Sequence, residues 1–486
     1  GYQAIGMIMI LFIFLPVLMI GLGPGVAPAW DSVRAGGDEP WQQDSLAWMQ
    51  NNTPEPGVDY LAEQPIPEGG DFDYPVDESP IQGAYGVMSW WDYGHWITVN
   101  AKRVPMANPF QEGNYIASAY LTSQTEEKGN LLLEALPSLE PDPGRNVVNY
   151  TDDELQGIIE DQGSQERYED TRYVMIDDQM AGDKFGAIAT WVGFEQDEWI
   201  GNSEVQLGED NESNEMLPTL SDGYDDTTLS RLYFDDARHM ETYRLVHETE
   251  TYSLMGWRLS SQGGVGQFSV LNRLGYDEDV GLGVPVGQLS FPPDQAISDG
   301  QEGYLYELRS EASVKTYERV PGAEISGTSN HSDENVTVAL ELQTDNTGRQ
   351  FYYAQDTKTD EDGSFSFRVP YASEHDLGVD DGATESAVEP QGDYEVYVGN
   401  VGLAQAAGQE QLVGETLENG TVEVTESALY DGEEAEVELQ DDEGTIGISP
   451  DDGEDEVGDG DVDDSGEVPE DDADGGVEDG ADEPAP

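Results

Sequence analysis

Acidic side chains outnumber basic ones in this chain by 103 to 19, which gives a formal net charge of −84. A fold built from this sequence has to leave most of its carboxylates on an acidic surface, where they repel one another. Such a surface excludes a nucleic-acid-binding protein that neutralises phosphates, because the basic footprint is missing. It is typical of a protein in concentrated salt, where ions screen charges beyond a few ångströms. We interpret the composition as that of a halophile; an acidic cation-binding protein is the alternative.

The chain nevertheless has enough large apolar side chains to form folded cores. It contains 9 Trp, 24 Tyr and 12 Phe among 486 residues, a length that allows about two to four domains. It has no cysteine. This excludes a disulfide framework, a cysteine nucleophile and a thiolate metal site. The five histidines show no metal-ligand spacing, so we expect no zinc site.

Residues 4–22, AIGMIMILFIFLPVLMIGL, are uncharged and almost wholly apolar. A helix of this length spans about 28 Å, close to the thickness of the hydrocarbon core of a bilayer. The segment lacks the basic start and the cleavage site of a signal peptide, which is the alternative. We therefore predict a transmembrane helix. Because the sequence begins at Gly1, we expect it to be the last such helix of a larger membrane protein.

The middle of the chain mixes helical and strand-like patterns. The clearest predicted helices are Gly113–Leu136 and Thr227–His247, whereas Tyr173–Ile176 and Ala187–Val192 resemble strands. This mixture indicates an α/β or α+β domain.

Beyond about residue 315 the pattern changes to short alternating segments, which are typical of strands. The predicted strands are Val336–Leu342, Gln350–Ala354, Ser364–Val369, Asp393–Val398 and Thr421–Val424. Asp362-Gly363 lies between two of them and predicts a hairpin. Past residue 440 the sequence is strongly acidic without any base, which favours disorder.

The predicted fold therefore has four parts. They are one transmembrane helix (residues 1–24), a mixed α/β or α+β soluble domain (25–314), a β-sandwich domain (315–440) and a disordered acidic tail (441–486).

The string Trp90-Trp91-Asp92-Tyr93-Gly94 is the least probable one in the chain, and no periodic pattern explains it. An indole N–H only donates a hydrogen bond and an ionised carboxylate only accepts one, whereas a hydroxyl does both. Two tryptophans beside one aspartate therefore suit a Ser or Thr side chain. A ligand without the hydroxyl would leave buried polar groups unpaired, at a cost of about 1–3 kcal/mol each. A buried aromatic cluster with a turn is the alternative.

The string resembles the WWDYG signature of the catalytic subunit of oligosaccharyltransferase, the membrane enzyme of N-linked protein glycosylation. The segment WWDYGHWITVNAKRVPMANPFQ continues the resemblance, and the acidic composition points to the haloarchaeal branch of the archaeal enzymes. The resemblance implies that Trp90, Trp91 and Asp92 hold the hydroxyl of the acceptor sequon Asn-X-Ser/Thr. It assigns shape rather than contact to Tyr93 and Gly94.

The family's second motif packs beside the first and contacts the methyl group of the acceptor threonine. Its candidate here is a strand that ends at Asp177 and leads into a helix carrying Met180, Lys184 and Ile188, which would share one face at this spacing. The resemblance implies that these three residues bind substrate. The sequence spacing from Asp177 to Lys184 is wider than that of the family motif, and an ordinary strand–turn–helix is the alternative.

The resemblance implies transfer of an oligosaccharide from a dolichol phosphate or diphosphate carrier to the asparagine. The expected partners are the sequon, the dolichol-linked oligosaccharide and the lipid bilayer, with no nucleic acid. The intact enzyme would be a multi-pass protein of the cell membrane, with its soluble domains extracellular. It would use Mg²⁺ or Mn²⁺. The family's metal ligands lie in earlier membrane loops, so we expect neither catalytic nor metal-binding residues here. A membrane-anchored extracellular binding or structural protein with β domains is the alternative function.

Overall fold

The computed structural model describes most of the chain between residues 41 and 447. The described residues are 41–56, 85–136, 139, 147–162, 171–193, 196–207, 213–260, 263–279, 284–289, 291–292, 294–298, 303–406 and 409–447. Residues 4–22, predicted to cross a membrane, and residues 448–486 of the predicted tail lie outside them.

Helices are short and belong mostly to the first half of the described chain. They are α1 (Leu46–Asn52), α2 (Gly94–Trp96), α3 (Asn114–Leu121), α4 (Glu126–Ala135), α5 (Asp152–Gln162), α6 (Asp178–Ala181), α7 (Phe185–Thr190), α8 (Gln196–Trp199), α9 (Asp222–Asp225), α10 (Thr228–Phe234) and α11 (Glu426–Asp431). Single turns of 3₁₀-helix or π-helix occur at Trp41–Ser45, Trp91–Tyr93, Ile97–Ala101, Val147–Asn149, Val286–Gln288 and Val379–Asp381.

Strands dominate the second half. They are β1 (Gly86–Met88), β2 (Val104–Pro105), β3 (Thr171–Asp177), β4 (Ile200–Leu207), β5 (Ser213–Leu220), β6 (Tyr243–Glu248), β7 (Thr251–Leu259), β8 (Ser269–Gly275), β9 (Gln295–Ser298), β10 (Tyr304–Ala312), β11 (Val314–Arg319), β12 (Ala323–Thr328), β13 (Asn335–Thr344), β14 (Gln350–Lys358), β15 (Ser364–Val369), β16 (Val388–Pro390), β17 (Tyr394–Ala406), β18 (Gln409–Val422), β19 (Glu434–Val437) and β20 (Gln440–Ile446).

A five-stranded sheet in the order β2-β1-β3-β11-β6 forms the base of the first half. Its strand β3 is buried along almost its whole length, which agrees with its run of apolar residues. Strands β1 and β3 are parallel, with Val87 opposite Tyr173. The ends of both strands therefore lie at one edge of the sheet. Trp90 follows the end of β1, and Asp177 ends β3, so the two predicted motifs start at the same edge.

Three further sheets complete the described fold. One has the strand order β5-β4-β9-β10-β7-β8, the second has β15-β12-β19, and the third has β14-β13-β17-β18-β20 with β16 added to β13. Side chains of the last two sheets, among them Val338, Phe367 and Val396, belong to the same hydrophobic core as β3. The C-terminal strands thus pack into the core that supports the first sheet.

A buried ion-pair network ties these parts together. Arg244 on β6 is 2% exposed and pairs with Glu318 on β11 at 2.6 Å and with Glu426 on α11 at 2.5 Å. Arg172 on β3 also pairs with Glu318, at 2.8 Å. The neighbouring Arg244 lowers the pKa of Glu426 to about 2 against the effect of burial, so this carboxylate stays ionised. Basic residues of this acidic chain are thus placed where they neutralise carboxylates that have lost water.

The described residues correct the fold class predicted from the sequence. None of their helices is long and apolar enough to cross a membrane. The described chain instead forms a mixed α/β part and a β-rich part. Strand β11, which spans the predicted start of the β-sandwich domain, pairs with β3 and β6 rather than with the strands that follow it. An alternating pattern reveals a strand but does not specify its partner. The limits of the four predicted segments stay predictions, and β20 lies within the segment predicted to be disordered.

Several local predictions also need correction. The Asp362-Gly363 turn exists, with Gly363 at φ 84°, but it joins β14 of one sheet to β15 of another and makes no hairpin. The predicted strand Ala187–Val192 is largely helix α7. The predicted helix Thr227–His247 is helical only in α10, because its second half becomes β6. Tertiary pairing overrides local preference in these segments.

Candidate functional site

The WWDYG segment turns sharply as it leaves the first sheet. Trp90 is still extended, with φ −64° and ψ 142°, whereas Trp91–Tyr93 forms a 3₁₀ turn that continues into α2. Gly94 permits a close backbone approach there, since a Cβ atom on it would lie 2.4 Å from the carbonyl oxygen of Ala107. The shape role that the sequence suggests for this glycine thus has a physical basis.

Trp91 and Asp92 each carry a buried polar atom without a partner. Nε1 of Trp91 and Oδ1 of Asp92 are withdrawn from solvent, and neither makes a hydrogen bond with the described residues. One atom is a donor and the other an acceptor. Leaving both unpaired costs about 1–3 kcal/mol each. A hydroxyl group, which donates and accepts, would satisfy both demands.

Trp90 is less accessible than its neighbour. Only 3% of it is exposed, and its ring packs against that of Trp91 with centroids 5.9 Å apart and planes tilted by 55°. The side chain of Asp92, in contrast, is 31% exposed. The structure therefore places Trp91 and Asp92 at the surface of the site and Trp90 behind them. The predicted contact of Trp90 with a hydroxyl stays a prediction.

Lys184 joins the second predicted motif to the first. Its Nζ lies 2.7 Å from Oδ2 of Asp92 and 2.7 Å from the hydroxyl oxygen of Tyr93. It also lies 4.1 Å from the centre of the Tyr93 ring, within the range of a cation–π contact. The lysine occupies one oxygen of the carboxylate and leaves the other for a ligand. The structure thus places Lys184 beside Asp92, the neighbour of Trp91 in the chain, whereas substrate binding by these three residues stays a prediction.

The helix expected to carry Met180, Lys184 and Ile188 on one face is interrupted. Gly182, with φ −112° and ψ −101°, ends α6, and Lys184 is the N-cap residue of α7. Met180 and Ile188 are both fully buried. Met180 lies behind the first motif, with its sulfur 3.8 Å from Oγ of Ser89. The two apolar side chains therefore lie in the core beneath the two motifs, and their contact with substrate stays a prediction.

A deeper layer that the sequence did not reveal holds the two motifs in register. Trp41 donates from Nε1 to Oδ2 of Asp177 at 2.8 Å, and its ring stacks on Tyr93 with centroids 4.4 Å apart. The other oxygen of Asp177 accepts from the backbone N–H of Met180 at 2.8 Å and caps α6. An aspartate just before a helix is a sequence signal for the cap. No local signal indicates that this aspartate also bonds to a tryptophan 136 residues away.

A second aspartate is fixed next to Asp177. Both oxygens of Asp178 accept from the guanidinium of Arg273, at 2.6 and 2.7 Å, and one accepts from Ser253. Burial raises the pKa of Asp178 to about 6 in spite of the arginine. This pair anchors α6 to β8, so the turn that delivers Lys184 is held at both sides.

Burial also raises the pKa of Asp92 above its ordinary value of 3.8, against the opposing charge of Lys184. The ionised form is the better acceptor for a ligand hydroxyl and the partner of the lysine. Ligand binding that uses this form is complete above the raised pKa. It is lost as the pH falls through it.

We therefore expect the affinity of a Thr-containing sequon peptide to decline on acidification earlier than an ordinary aspartate would allow. The measurement is a binding titration of that peptide at successive pH values, with circular dichroism as a check on folding. An otherwise identical Ala peptide, which makes no bond to Asp92, should bind with little pH dependence. Unchanged binding of the Thr peptide down to about pH 4 would contradict an essential Asp92 carboxylate.

The described residues do not fit a resident metal ion. No group of three or more His, Asp or Glu side chains in the described ranges is arranged to hold one. No step of the chemistry is therefore assigned to a metal on these residues.

Two segments of the chain match the sequence models of known domain families. Residues 38–139 match the sequence model of the AglB core domain, and residues 322–435 match that of the Archaeal glycosylation protein B long peripheral domain. The first of these segments contains the WWDYG string.

Two curated relatives align along most of the chain. The dolichyl-monophosphooligosaccharide–protein glycotransferase AglB of Haloferax volcanii is 28% identical, over 90% of this chain and 44% of its own length. The dolichyl-phosphooligosaccharide–protein glycotransferase 3 of Archaeoglobus fulgidus is 26% identical, over 77% of this chain and 42% of its own length. The chain thus spans less than half the length of these relatives.

The fold agrees with that of a solved relative, the archaeal oligosaccharyltransferase AglB from Archaeoglobus fulgidus. The TM-score is 0.53 at 20% identity, and the match covers 90% of this chain and 46% of the solved one. That structure holds an inhibitory peptide and a dolichol-phosphate. Two other matched structures of an oligosaccharyltransferase from the same organism, also with TM-scores of 0.53, hold Zn and sulfate or a tethered acceptor peptide containing the NVT sequon. The α/β and β-rich architecture described above is the one these proteins share. The two matched domain models and the two aligned relatives make the chain similar in sequence to the AglB oligosaccharyltransferases, and the structural match shows a shared fold.

Proposed function

We propose that this chain is the acceptor-recognising part of an enzyme that transfers an oligosaccharide from a dolichol phosphate or diphosphate carrier to the asparagine of Asn-X-Ser/Thr. The observation that supports this most is the pair of unpartnered polar atoms in the WWDYG segment. Trp91 has a free indole donor and Asp92 a free carboxylate acceptor, both shielded from water. A Ser or Thr hydroxyl two residues after the acceptor asparagine has the chemistry that both atoms require.

In this proposal each residue of the site has a separate task. Asp92 accepts from the acceptor hydroxyl, and Trp91 donates to it. Lys184 holds Asp92 in place through a 2.7 Å ion pair, which also fixes which carboxylate oxygen is free. Trp90, Met180 and Ile188 complete the substrate-binding set, with Trp90 supporting the ring of Trp91. Binding the hydroxyl positions the asparagine amide for attack and reduces the entropy cost of reaction.

The remaining parts of the reaction lie outside the described residues. The intact enzyme would work at the cell membrane, where a dolichol carrier resides, with the soluble part extracellular. A divalent cation, Mg²⁺ or Mn²⁺, would polarise reacting oxygens; the described residues supply no ligand cluster for it. We attribute the acidic surface to a halophilic host. Full stability of the protein in low-salt buffer would contradict that attribution.

A binding experiment tests the recognition step directly. A sequon peptide Asn-X-Thr with a photoreactive group at X is mixed with the protein in concentrated salt, irradiated and mapped by mass spectrometry. We expect cross-links in the segment around Trp91 and Asp92. The Asn-X-Ala peptide is the matched control and should give few. Equal labelling of this segment by both peptides would remove the basis of the proposal.

A further inference from the structure

The segment that follows the WWDYG string carries exposed apolar side chains. Five large apolar side chains are exposed among the described residues, and three of them, Val99, Phe110 and Tyr115, lie within residues 99–115. Phe110, at 80%, is the most exposed of the five. A single exposed apolar residue is common on protein surfaces and needs no explanation by itself. Phe110 differs from that case because the fold fixes it beside the candidate hydroxyl site.

We propose that Phe110 is a specificity-determining residue, which binds an apolar side chain of the acceptor peptide shortly after the sequon threonine. The proposal rests on the proposed function, because it extends the same acceptor site by one contact. Three features of the molecule support it: the position of the ring, the way its loop is held, and the charges around it.

The ring of Phe110 lies on the helical face that begins at Asp92. Residues 91–101 are helical throughout, in the 3₁₀ turn, α2 and the π-helical turn. His95 is exposed and follows Asp92 by three residues, a spacing that places two side chains about 5–6 Å apart on one face. The Phe110 ring packs against His95 with centroids 5.7 Å apart and planes at 72°. Phe110 therefore lies within roughly 11 Å of the hydroxyl site.

That distance fits a short stretch of acceptor peptide. An extended chain advances about 3.3 Å per residue, so roughly three residues bridge it. The residues before the sequon threonine include the asparagine, which has to reach the donor sugar outside the described part of the enzyme. The residues after the threonine can follow the described surface instead. One of the first three of them would place its side chain against the Phe110 ring.

The loop that presents Phe110 is braced by its own hydrogen bonds. Oδ1 of Asn108 accepts from the backbone N–H of Phe110 at 2.9 Å, and Nδ2 of Asn108 donates to Oε2 of Glu112 at 2.9 Å. Gln111 adopts φ 67°, a left-handed conformation that is uncommon outside glycine. The start of the loop lies against Gly94 of the WWDYG segment. A ring held in this way loses little conformational entropy when a ligand covers it.

The charges near Phe110 favour a peptide over a lipid surface as its partner. Glu112, two residues further along the loop, is exposed, and the side chain of Asp92 is 31% exposed. If the ring entered the hydrocarbon of a bilayer, these carboxylates would be drawn towards it and lose water, which is costly for ionised groups. A peptide side chain can cover the ring and leave Glu112 hydrated.

Glycan transfer by the intact enzyme to a set of matched peptides tests the proposal. Each peptide has the sequon Asn-Val-Thr followed by three residues, of which one is Leu and two are Ser; the reference peptide has three Ser. We expect KM for one of the Leu peptides to be about 3–10-fold lower than for the reference, because apolar surface of both side chains leaves water. Peptides with Leu before the asparagine should show no such gain.

Three variants assign this gain to one side chain. Phe110→Ser should abolish the gain of the Leu peptide, whereas Phe110→Leu keeps an apolar side chain and should retain part of it. Met216→Ser removes another exposed apolar side chain, 67% exposed on β5, and should leave the gain unchanged. The preference for Thr over Ala in the sequon should persist in all three, since the hydroxyl site is unaltered.

The possible results separate this inference from the proposed function. A gain that is absent from every Leu peptide, that occurs only with Leu before the asparagine, or that survives in Phe110→Ser would overturn the inference. A loss in Phe110→Ser that is equal for all peptides, and occurs in a bilayer but not in detergent, would assign the ring to lipid and also overturn it. A persisting preference for Thr over Ala leaves the proposed function intact in these cases. Equal transfer to Thr and Ala peptides by the unaltered enzyme would refute the proposed function itself.

Discussion

Replacing Asp92 by Ala should lower kcat/KM for an Asn-X-Thr peptide about 10–150-fold in the intact enzyme. The change removes the carboxylate acceptor of the hydroxyl, and a hydrogen bond to a charged group contributes about 1.5–3 kcal/mol. It also releases Lys184, whose Nζ lies 2.7 Å from the carboxylate. The measurement is glycan transfer to a labelled peptide at several peptide concentrations.

The matched readout is the preference for Thr over Ala at the third sequon position. Asp92→Ala should abolish that preference, because the loss concerns a bond that the Ala peptide never makes. Trp91→Phe keeps an aromatic side chain and the Asp92 acceptor but removes the indole N–H together with part of the ring, so we expect a smaller loss of about 2–10-fold. Trp48→Phe alters a tryptophan outside the site and is the control. A variant of Asp92 that loses activity equally for both peptides would point to damaged folding instead.

Replacing Arg244 by Met should lower the free energy of unfolding by about 3–5 kcal/mol. The arginine is 2% exposed and neutralises Glu318 and Glu426, both almost fully buried. Without it, two carboxylates remain in a low-dielectric interior with little to compensate them, although Arg172 still contacts Glu318. Denaturant unfolding at constant high salt, followed by tryptophan fluorescence, measures the effect.

Two further variants define the cause of that loss. Lys128→Met removes a more exposed ion pair, whose Asp152 side chain is 52% exposed, and should cost about 0–1 kcal/mol. Adding Glu426→Gln to Arg244→Met should recover part of the stability, because one stranded charge is removed. If Arg244→Met were no more harmful than Lys128→Met, the buried network would contribute little to the fold.

The first part of the candidate site could be proposed from the sequence because its chemistry lies in consecutive residues. Trp91 and Asp92 are neighbours, and the demand for a hydroxyl follows from their hydrogen-bonding capacity alone. The approach of Lys184 was predicted from resemblance, and the structure explains it through parallel β1 and β3, which end at the same edge. The continuous helix was wrong, because Gly182 breaks it between Met180 and Lys184.

Features that depend on partners far along the chain could not be predicted. Trp41 bonds to Asp177 across 136 positions, and Arg244 to Glu426 across 182. The strands around Asp362-Gly363 were recognised from their alternation, yet their sheets were not, since a turn signal does not specify which strand pairs with which. The membrane helix was inferred from residues 4–22, on which the described structure has no bearing.

The position of β11 between β3 and β6 determines where a shortened form of the protein can end. A recombinant fragment that stops at residue 314 would carry both acceptor motifs, yet β3 and β6 would lose the strand that separates them. Each would then display a row of vacant N–H and C=O groups, an invitation to intermolecular pairing and precipitation. A fragment meant for crystallisation or display must therefore extend at least to Arg319, the end of β11. Because a carboxylate on α11 pairs with the buried Arg244, a fragment that also includes α11 keeps this ion pair.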